Sequence, residues 1–378
     1  MANPPYMGSS SFNPFISGWV KRNYPDVKSD LFSSFIVRIM SFANPHGEVG
    51  IMCPFVWMFI GSYEKLRNLL IDEKTLTSLI QLEYSGFAGA TVPICTFTFH
   101  NSKIEGYKGG YIRLSDFVGA NVQAPKALEA IKNPACGWFY RRDASTFHQI
   151  PGSPIAYWAS DALLDAFVSS KKLSDIGKPR QGLATGENAR FVREWWEVST
   201  KNSDYSCPSA KKAAASGLKW FPYNKGGDFR KWYGNNEFVI DWMNDGESIR
   251  LFSGSVIRNP DNYFSPSITW SKISSGSIAF RYKPAGHIFD VAGTSIFADE
   301  RELAYLQGAC NSSVIMLVAS MLSPTLNFEV GQIATYPIIE DESSKQYVIE
   351  LVEKLRDLSK LDWDSFETSW DFKRNPLL

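Results

Sequence analysis

Asn3-Pro4-Pro5-Tyr6 is the stretch around which this chain is organised. It combines an amide side chain, a stiff Pro-Pro step and an aromatic ring, a set that suits a site gripping a planar amine. Because proline restricts φ, acceptors carried by this segment are fixed before anything binds. Such a motif belongs at the carboxyl end of a sheet strand, and here almost no strand precedes it.

Working outward, a Gly/Ser/Asn loop runs to about Ser17. Ser29-Asp30 then reads as a helix N-cap, with Leu31, Phe32, Phe35, Ile36, Ile39 and Met40 following at helical spacing. Asn44-Pro45-His46-Gly47 stops that helix. The continuous apolar run Val49 to Phe55 has the signature of a strand buried on both faces. Ser62 opens a second helix carrying Leu66, Leu69 and Leu70, and two strands follow at Leu76–Leu82 and Val92–Phe99. This alternation predicts the second half of an α/β sheet. A short strand at Gly109–Leu114 and a helix at Pro125–Ile131 come next.

From Lys171 the pattern changes to short strands, turns rich in Gly, Asn and Pro, and many aromatics. Lys219–Tyr223, Phe238–Ile240, Ile268–Trp270, Ile278–Tyr282 and Ile288–Val291 are the clearest strand candidates, so a β-rich second domain is expected. Ser209–Ser216 reads as a mobile loop. Glu302–Leu322 reads as two helices broken near Asn311-Ser312, and Ser343-Ser344-Lys345-Gln346 as the capping box of a last helix with Val348, Leu351, Val352 and Leu355 on one face.

Bulk composition narrows the class. At 378 residues there is room for two domains, and 44% hydrophobic with 21% charged residues reads as soluble and globular. Net charge is zero, but Lys171–Asn235 holds thirteen Lys/Arg against six Asp/Glu, a patch suited to phosphates. Five scattered cysteines without a CxxC, and four histidines without ligand spacing, point to free thiols in a reducing compartment and no metal site. With no signal peptide and no spanning segment, the expected location is the cytoplasm.

The motif suits one chemistry in particular. The exocyclic nitrogen of adenine is a poor nucleophile because its lone pair is conjugated into the ring. Two acceptors on its N–H bonds would localise that pair, and Asn3 offers its side-chain oxygen while Pro4 offers its carbonyl. Tyr6 supplies a face on which an unstacked base can lie.

From residue 3 to about 100 the chain resembles the catalytic half of γ-class adenine-N6 DNA methyltransferases. The matching segments are Asn3-Pro4-Pro5-Tyr6, Ser29-Asp30-Leu31-Phe32-Ser33-Ser34-Phe35, Val49-Gly50-Ile51-Met52-Cys53-Pro54 with Trp57 behind it, and Phe87-Ala88-Gly89-Ala90-Thr91-Val92-Pro93. By that resemblance Phe87 faces Tyr6 across a flipped adenine, and Asn3, Pro4, Pro5 and Tyr6 form the catalytic motif. Beyond residue 100, Gly109–Leu114, Lys178–Gly186, Trp220–Gly227, Phe229–Tyr233 and Ser365–Phe372 resemble the PglX-type large methyltransferases of BREX phage-defence systems. Gly308–Pro337 resembles the specificity regions of restriction–modification proteins.

The resemblance implies residues 1–135 as the C-terminal half of a Rossmann-like methyltransferase domain, 136–340 as an α+β target-recognition domain and 341–378 as a C-terminal helix and connector. It implies S-adenosylmethionine as methyl donor, double-stranded DNA as substrate, base flipping, and other defence-system proteins as partners. Lys178, Arg180, Gln181, Thr185, Asn188 and Arg190 in one loop, and Lys225, Arg230 and Lys231 in another, are the candidate DNA contacts; Arg281 and Lys283 are further candidates. No Asp-Pro-x-x-Gly-x-Gly cofactor loop occurs in the sequence. The chain therefore reads as a fragment, an alternative start or one half of a split enzyme, completed by an upstream methyltransferase segment. The competing expectation is a DNA-binding specificity module without catalysis.

Overall fold

The computed structural model describes residues 1–378 apart from 85, 88–91, 275, 324–326 and 377. The chain divides into two compact units, Met1–Val168 and Ser169–Leu378.

In the first unit, helices α1 (Pro14–Asn23) and α2 (Leu31–Met40) precede β1 (Glu48–Pro54); α3 (Glu64–Asp72), β2 (Thr75–Gln81), β3 (Ile94–His100), β4 (Lys108–Arg113), α4 (Ala120–Lys132) and β5 (Phe139–Asp143) follow. The strands form one mixed sheet in the order β1-β3-β2-β4-β5, parallel at β2/β4 and antiparallel elsewhere. This is an α/β arrangement, as the sequence pattern predicts. Asp30 caps α2 as expected, whereas α3 begins at Glu64 behind a 3-10 turn at Gly61–Tyr63 rather than at Ser62.

The apolar run at β1 corrects one reading. Val49, Ile51 and Cys53 are buried, while Glu48 is exposed and Gly50 and Met52 are half-buried. Along the row formed by the five named strands, β1 lies at one end. One of its faces packs into the core with Phe32, Ile36, Leu66, Leu70, Phe97 and Phe99, and alternation with period two is the result. Beneath the sheet, Arg67 is fully buried and donates to the carbonyls of Trp57 (2.7 Å), Ile60 (2.8 Å) and Gly152 (2.9 and 2.6 Å). Burial lowers its guanidinium to about 10, with Glu64 opposing the shift.

The second unit contains short strands: β6 (Lys171–Lys172), β7 (Lys178–Arg180), β8 (Val192–Glu194), β9 (Trp220–Asn224), β10 (Phe238–Asp241), β11 (Ser267–Thr269), β12 (Arg281–Lys283), β13 (Ile288–Phe289), β14 (Ser295–Phe297) and β15 (Pro337–Ile338). They make two four-stranded sheets, β13-β9-β10-β8 and β12-β11-β14-β7, and the pair β15-β6. Buried Asn224 on β9 ties the two larger sheets together, donating to Thr269 Oγ1 at 2.7 Å and to Gly293 O at 2.8 Å. The expected strand candidates each meet one of these strands. The helix pair breaks where expected, into Glu300–Cys310 and Ser313–Leu322.

Two readings differ. Ser209–Ser216 is a helix over Ala210–Ser216, capped by the Ser209 side chain and anchored by buried Ala213, rather than a mobile loop. The last helix, Glu342–Trp363, is capped by Asp341, whose carboxylate accepts from Ser343 N at 3.0 Å and from the Ser343 and Ser344 hydroxyls at 2.7 and 2.8 Å. A carboxylate accepts several such bonds at once, so it displaces the serines as cap. Ile349 and Val352 face inward on this helix and Leu351 outward. Among the described residues no single helix is long and apolar enough to cross a membrane; Glu300–Cys310 and Ser313–Leu322 qualify only as a pair, bent by 74°.

Candidate active site

Ala2 supplies what the motif lacks in sequence. It forms a parallel bridge to Ile51, with Ala2 N donating to Gly50 O at 2.9 Å and Met52 N donating to Ala2 O at 3.0 Å. The motif thus leaves the open side of β1 as though from the carboxyl end of a neighbouring parallel strand. Pro4 is buried, while Asn3, Pro5 and Tyr6 are exposed. A rigid, part-buried step therefore carries an amide and a ring to the surface.

The Tyr6 hydroxyl donates to Asn3 Oδ1 at 2.7 Å and lies 3.5 Å from Met52 O. This bond orients the carboxamide and leaves the second lone pair of its oxygen for another donor. The Tyr6 ring meets Phe32 of α2 edge-on, 6.5 Å between centroids at 88°. Partial burial raises the Tyr6 hydroxyl above its ordinary pKa, followed by the nearby Cys53 and Cys95 thiols, so the ring is neutral at physiological pH. Cys53 and Cys95 are buried partners across β1 and β3, and burial pushes the Cys53 thiol well up.

The segment after Tyr6 is tied to the start of α2. Met7 N donates to Asp30 Oδ1 at 3.1 Å, Leu31 N to Met7 O at 2.9 Å and Ser9 N to Ser29 O at 3.0 Å. Phe87 is exposed, just after a turn in which Gly86 N donates to Glu83 O at 2.9 Å. Ala88–Thr91 of the segment quoted above lie outside the described residues.

The resemblance implies a methyl donor held by a glycine-containing loop. Gly109-Gly110, the one adjacent pair of glycines in the first unit, lies inside β4, where a Cβ on Gly109 would meet Leu76 O at 2.5 Å. Those glycines serve close strand packing. That pair therefore does not form the glycine-containing cofactor loop that the resemblance implies.

In the second unit, Lys178, Asn188 and Arg190 are exposed, and Arg180, Gln181 and Lys225 are half-buried. The Arg190 guanidinium lies over the rings of Phe191 and Phe252, at 5.0 and 5.4 Å, and Lys225 lies 5.6 Å from the Phe238 ring. Thr185 is buried and donates to Asn188 Oδ1 at 2.7 Å. Arg230 pairs with Asp362 at 2.8 Å over Trp363, and Lys231 donates to Asn311 O at 3.1 Å. Their loop is also held from below. Lys283 is fully buried and donates to Gly234 O (2.9 Å), Asn235 O (2.8 Å) and Asn236 Oδ1. Burial, then the charge of Arg281, pushes Lys283 well below the usual ammonium value, while three oxygens take its three hydrogens. Arg281, also buried, donates to Ser271 Oγ at 3.1 Å. Both cations are structural, so the surface role open to them in the sequence is replaced by a clamp on the 225–236 loop.

The clamp was invisible in sequence, where a Lys and an Arg on a short strand read as solvent-facing. Arg67 left a fainter signal, because it falls on the same helical stripe as Tyr63, Leu66 and Leu70.

The description "Eco57I restriction-modification methylase" belongs to the family model that matches residues 1–87. The adenine-specific methyltransferase PglX of Lacticaseibacillus casei (strain Zhang) is 37% identical over all of this chain, which covers 32% of that protein. For the adenine-specific methyltransferase BrxX of Escherichia coli O9:H4 (strain HS) the identity is 35%, over all of this chain and 30% of that protein. The chain is a relative of the PglX and BrxX methyltransferases. It spans about a third of the length of these curated relatives. The resemblance to PglX-type methyltransferases read from the sequence is thereby borne out. In fold, it is similar to the Type IIL restriction-modification enzyme MmeI, solved in complex with DNA, with a TM-score of 0.61 at 13% identity over 100% of this chain and 51% of that one.

Proposed function

We propose that the chain supplies the adenine-facing half of the active site, and the DNA-reading part, of a site-specific adenine-N6 DNA methyltransferase of a BREX or restriction–modification system. The observation that carries this reading is the placement of Asn3 and Tyr6 on a rigid, part-buried Pro-Pro step at the open side of β1. A flipped adenine lies on the Tyr6 ring, with Phe87 on its other face. Its amino group donates to Asn3 Oδ1 and to Pro4 O, and these bonds localise the nitrogen lone pair. S-adenosylmethionine would supply the methyl group when bound. The first unit corresponds to the second half of a Rossmann-like catalytic domain and the second to the target-recognition domain. Lys178, Arg180, Gln181, Asn188, Arg190 and Lys225 are its proposed DNA contacts, with Thr185, Arg230 and Lys231 shaping the loops that carry them. The protein works in the cytoplasm with other defence-system proteins.

The base-stacking part is tested with 2-aminopurine in place of the target adenine, using the protein with the remainder of a PglX-length sequence. Binding is expected to raise 2-aminopurine emission strongly, and Tyr6→Ala to remove most of the rise while DNA affinity stays within about threefold. Unchanged emission in Tyr6→Ala would overturn it.

A further inference from the structure

Asp30 holds two amides with one oxygen. Its Oδ1 accepts from Phe32 N at 3.1 Å, which caps α2, and from Met7 N at 3.1 Å, the residue directly after Tyr6. Backbone bonds on either side, Leu31 N to Met7 O and Ser9 N to Ser29 O, make a short antiparallel bridge at Gly8 and Asp30. Upstream the loop is fixed by Ala2 on β1 and by the two prolines, so Met7 is the next place at which it can pivot. A cap alone does not require a carboxylate, since serine serves nearly as well. Reaching Met7 N as well requires the longer side chain and an oxygen with two lone pairs directed at two donors.

We infer that Asp30 is a positioning residue for the base-facing loop: by anchoring the Met7 amide it fixes the direction in which Asn3 and Tyr6 meet the flipped adenine. The inference rests on the methyltransferase reading above. Asp30 does not touch the base. It acts through Met7, and a loop displaced by about 1 Å is enough to lower turnover about a hundredfold.

Asp30→Asn keeps an oxygen at the same reach, Asp30→Ser keeps a cap but falls short of Met7, and Asp30→Ala keeps neither. Each is compared with wild type in the protein that includes the remainder of a PglX-length sequence, by amide hydrogen exchange and by steady-state methylation. Asp30→Ser and Asp30→Ala are expected to exchange the Met7 amide at least about tenfold faster and to lose about 10- to 100-fold in kcat, with KM for DNA within about twofold. Asp30→Asn is expected to stay within about threefold of wild type in both. Unchanged Met7 exchange or unchanged kcat in Asp30→Ser overturns the inference, as does an Asp30→Asn protein as impaired as Asp30→Ser. A wild-type protein that binds DNA but makes no N6-methyladenine overturns the methyltransferase reading instead, and Met7 exchange alone then decides whether Asp30 anchors the loop.

Discussion

Tyr6 commits its hydroxyl to Asn3, so the two residues proposed to face the base are oriented by each other as well as by the prolines. Tyr6→Phe keeps the stacking face and removes the donor that fixes the Asn3 carboxamide. Turnover is expected to fall by about 2- to 10-fold with little change in DNA affinity, as one neutral hydrogen bond of about 1 kcal/mol is lost; an unchanged kcat would show that Pro4 and Pro5 suffice. That both residues share a stiff segment was legible in the sequence; the bond between them was not. Nor was the bond from Asp30 Oδ1 to Met7, since it spans 23 residues and uses a side chain whose local pattern already had a complete explanation as a helix cap.

At the level of elements, periodicity located α2, α3 and β1 to β4, but it missed β5 and helix α1, which begins at Pro14 inside the expected loop to Ser17. The Val49–Phe55 run looked buried on both faces, yet only one face of β1 packs into the core, which leaves Gly50 and Met52 half-buried. Caps were decided by competition between neighbouring polar groups, with Asp341 prevailing over Ser343 and Ser209 converting an Ala/Lys stretch into a helix. The 225–236 loop shows the opposite limit. Its glycines and asparagines announced a turn, but its shape depends on Lys283 and Arg281, which arrive about fifty residues later. Lys283→Met would leave the Gly234 and Asn235 carbonyls and the Asn236 side chain unsatisfied. A loss of roughly 2–4 kcal/mol is expected, with faster amide exchange across the 225–236 loop, read by denaturant unfolding and exchange mass spectrometry. A loss below about 0.5 kcal/mol would show that water replaces the ammonium.

For the whole molecule, composition and the switch from helical to strand spacing announced an α/β unit followed by a β-rich one, and resemblance of segments connected them to one family. The acid response of the second unit follows from a residue the sequence left unassigned. His287 is buried, with its ring Nδ1 3.2 Å from Pro284 O, and burial followed by the charge of Lys283 lowers its pKa from 6.5 to about 3. The unfolded chain therefore binds a proton that the folded chain refuses between these two values. Stability conferred by the neutral ring is present above pH 6.5 and falls as the pH drops towards 3, by about 1.4 kcal/mol per pH unit within the window. His287→Gln should flatten this slope in unfolding experiments from pH 7 to 4; an equally steep variant would assign the acid sensitivity elsewhere.

The most direct test of the central claim is mass-spectrometric measurement of N6-methyladenine in duplex DNA exposed to S-adenosylmethionine and the protein with the remainder of a PglX-length sequence, wild type against Asn3→Ala, with DNA binding measured in parallel. The account predicts N6-methyladenine from the wild type and none above background from Asn3→Ala, at DNA affinities within about threefold. Methylation by Asn3→Ala at a near-normal rate would contradict it.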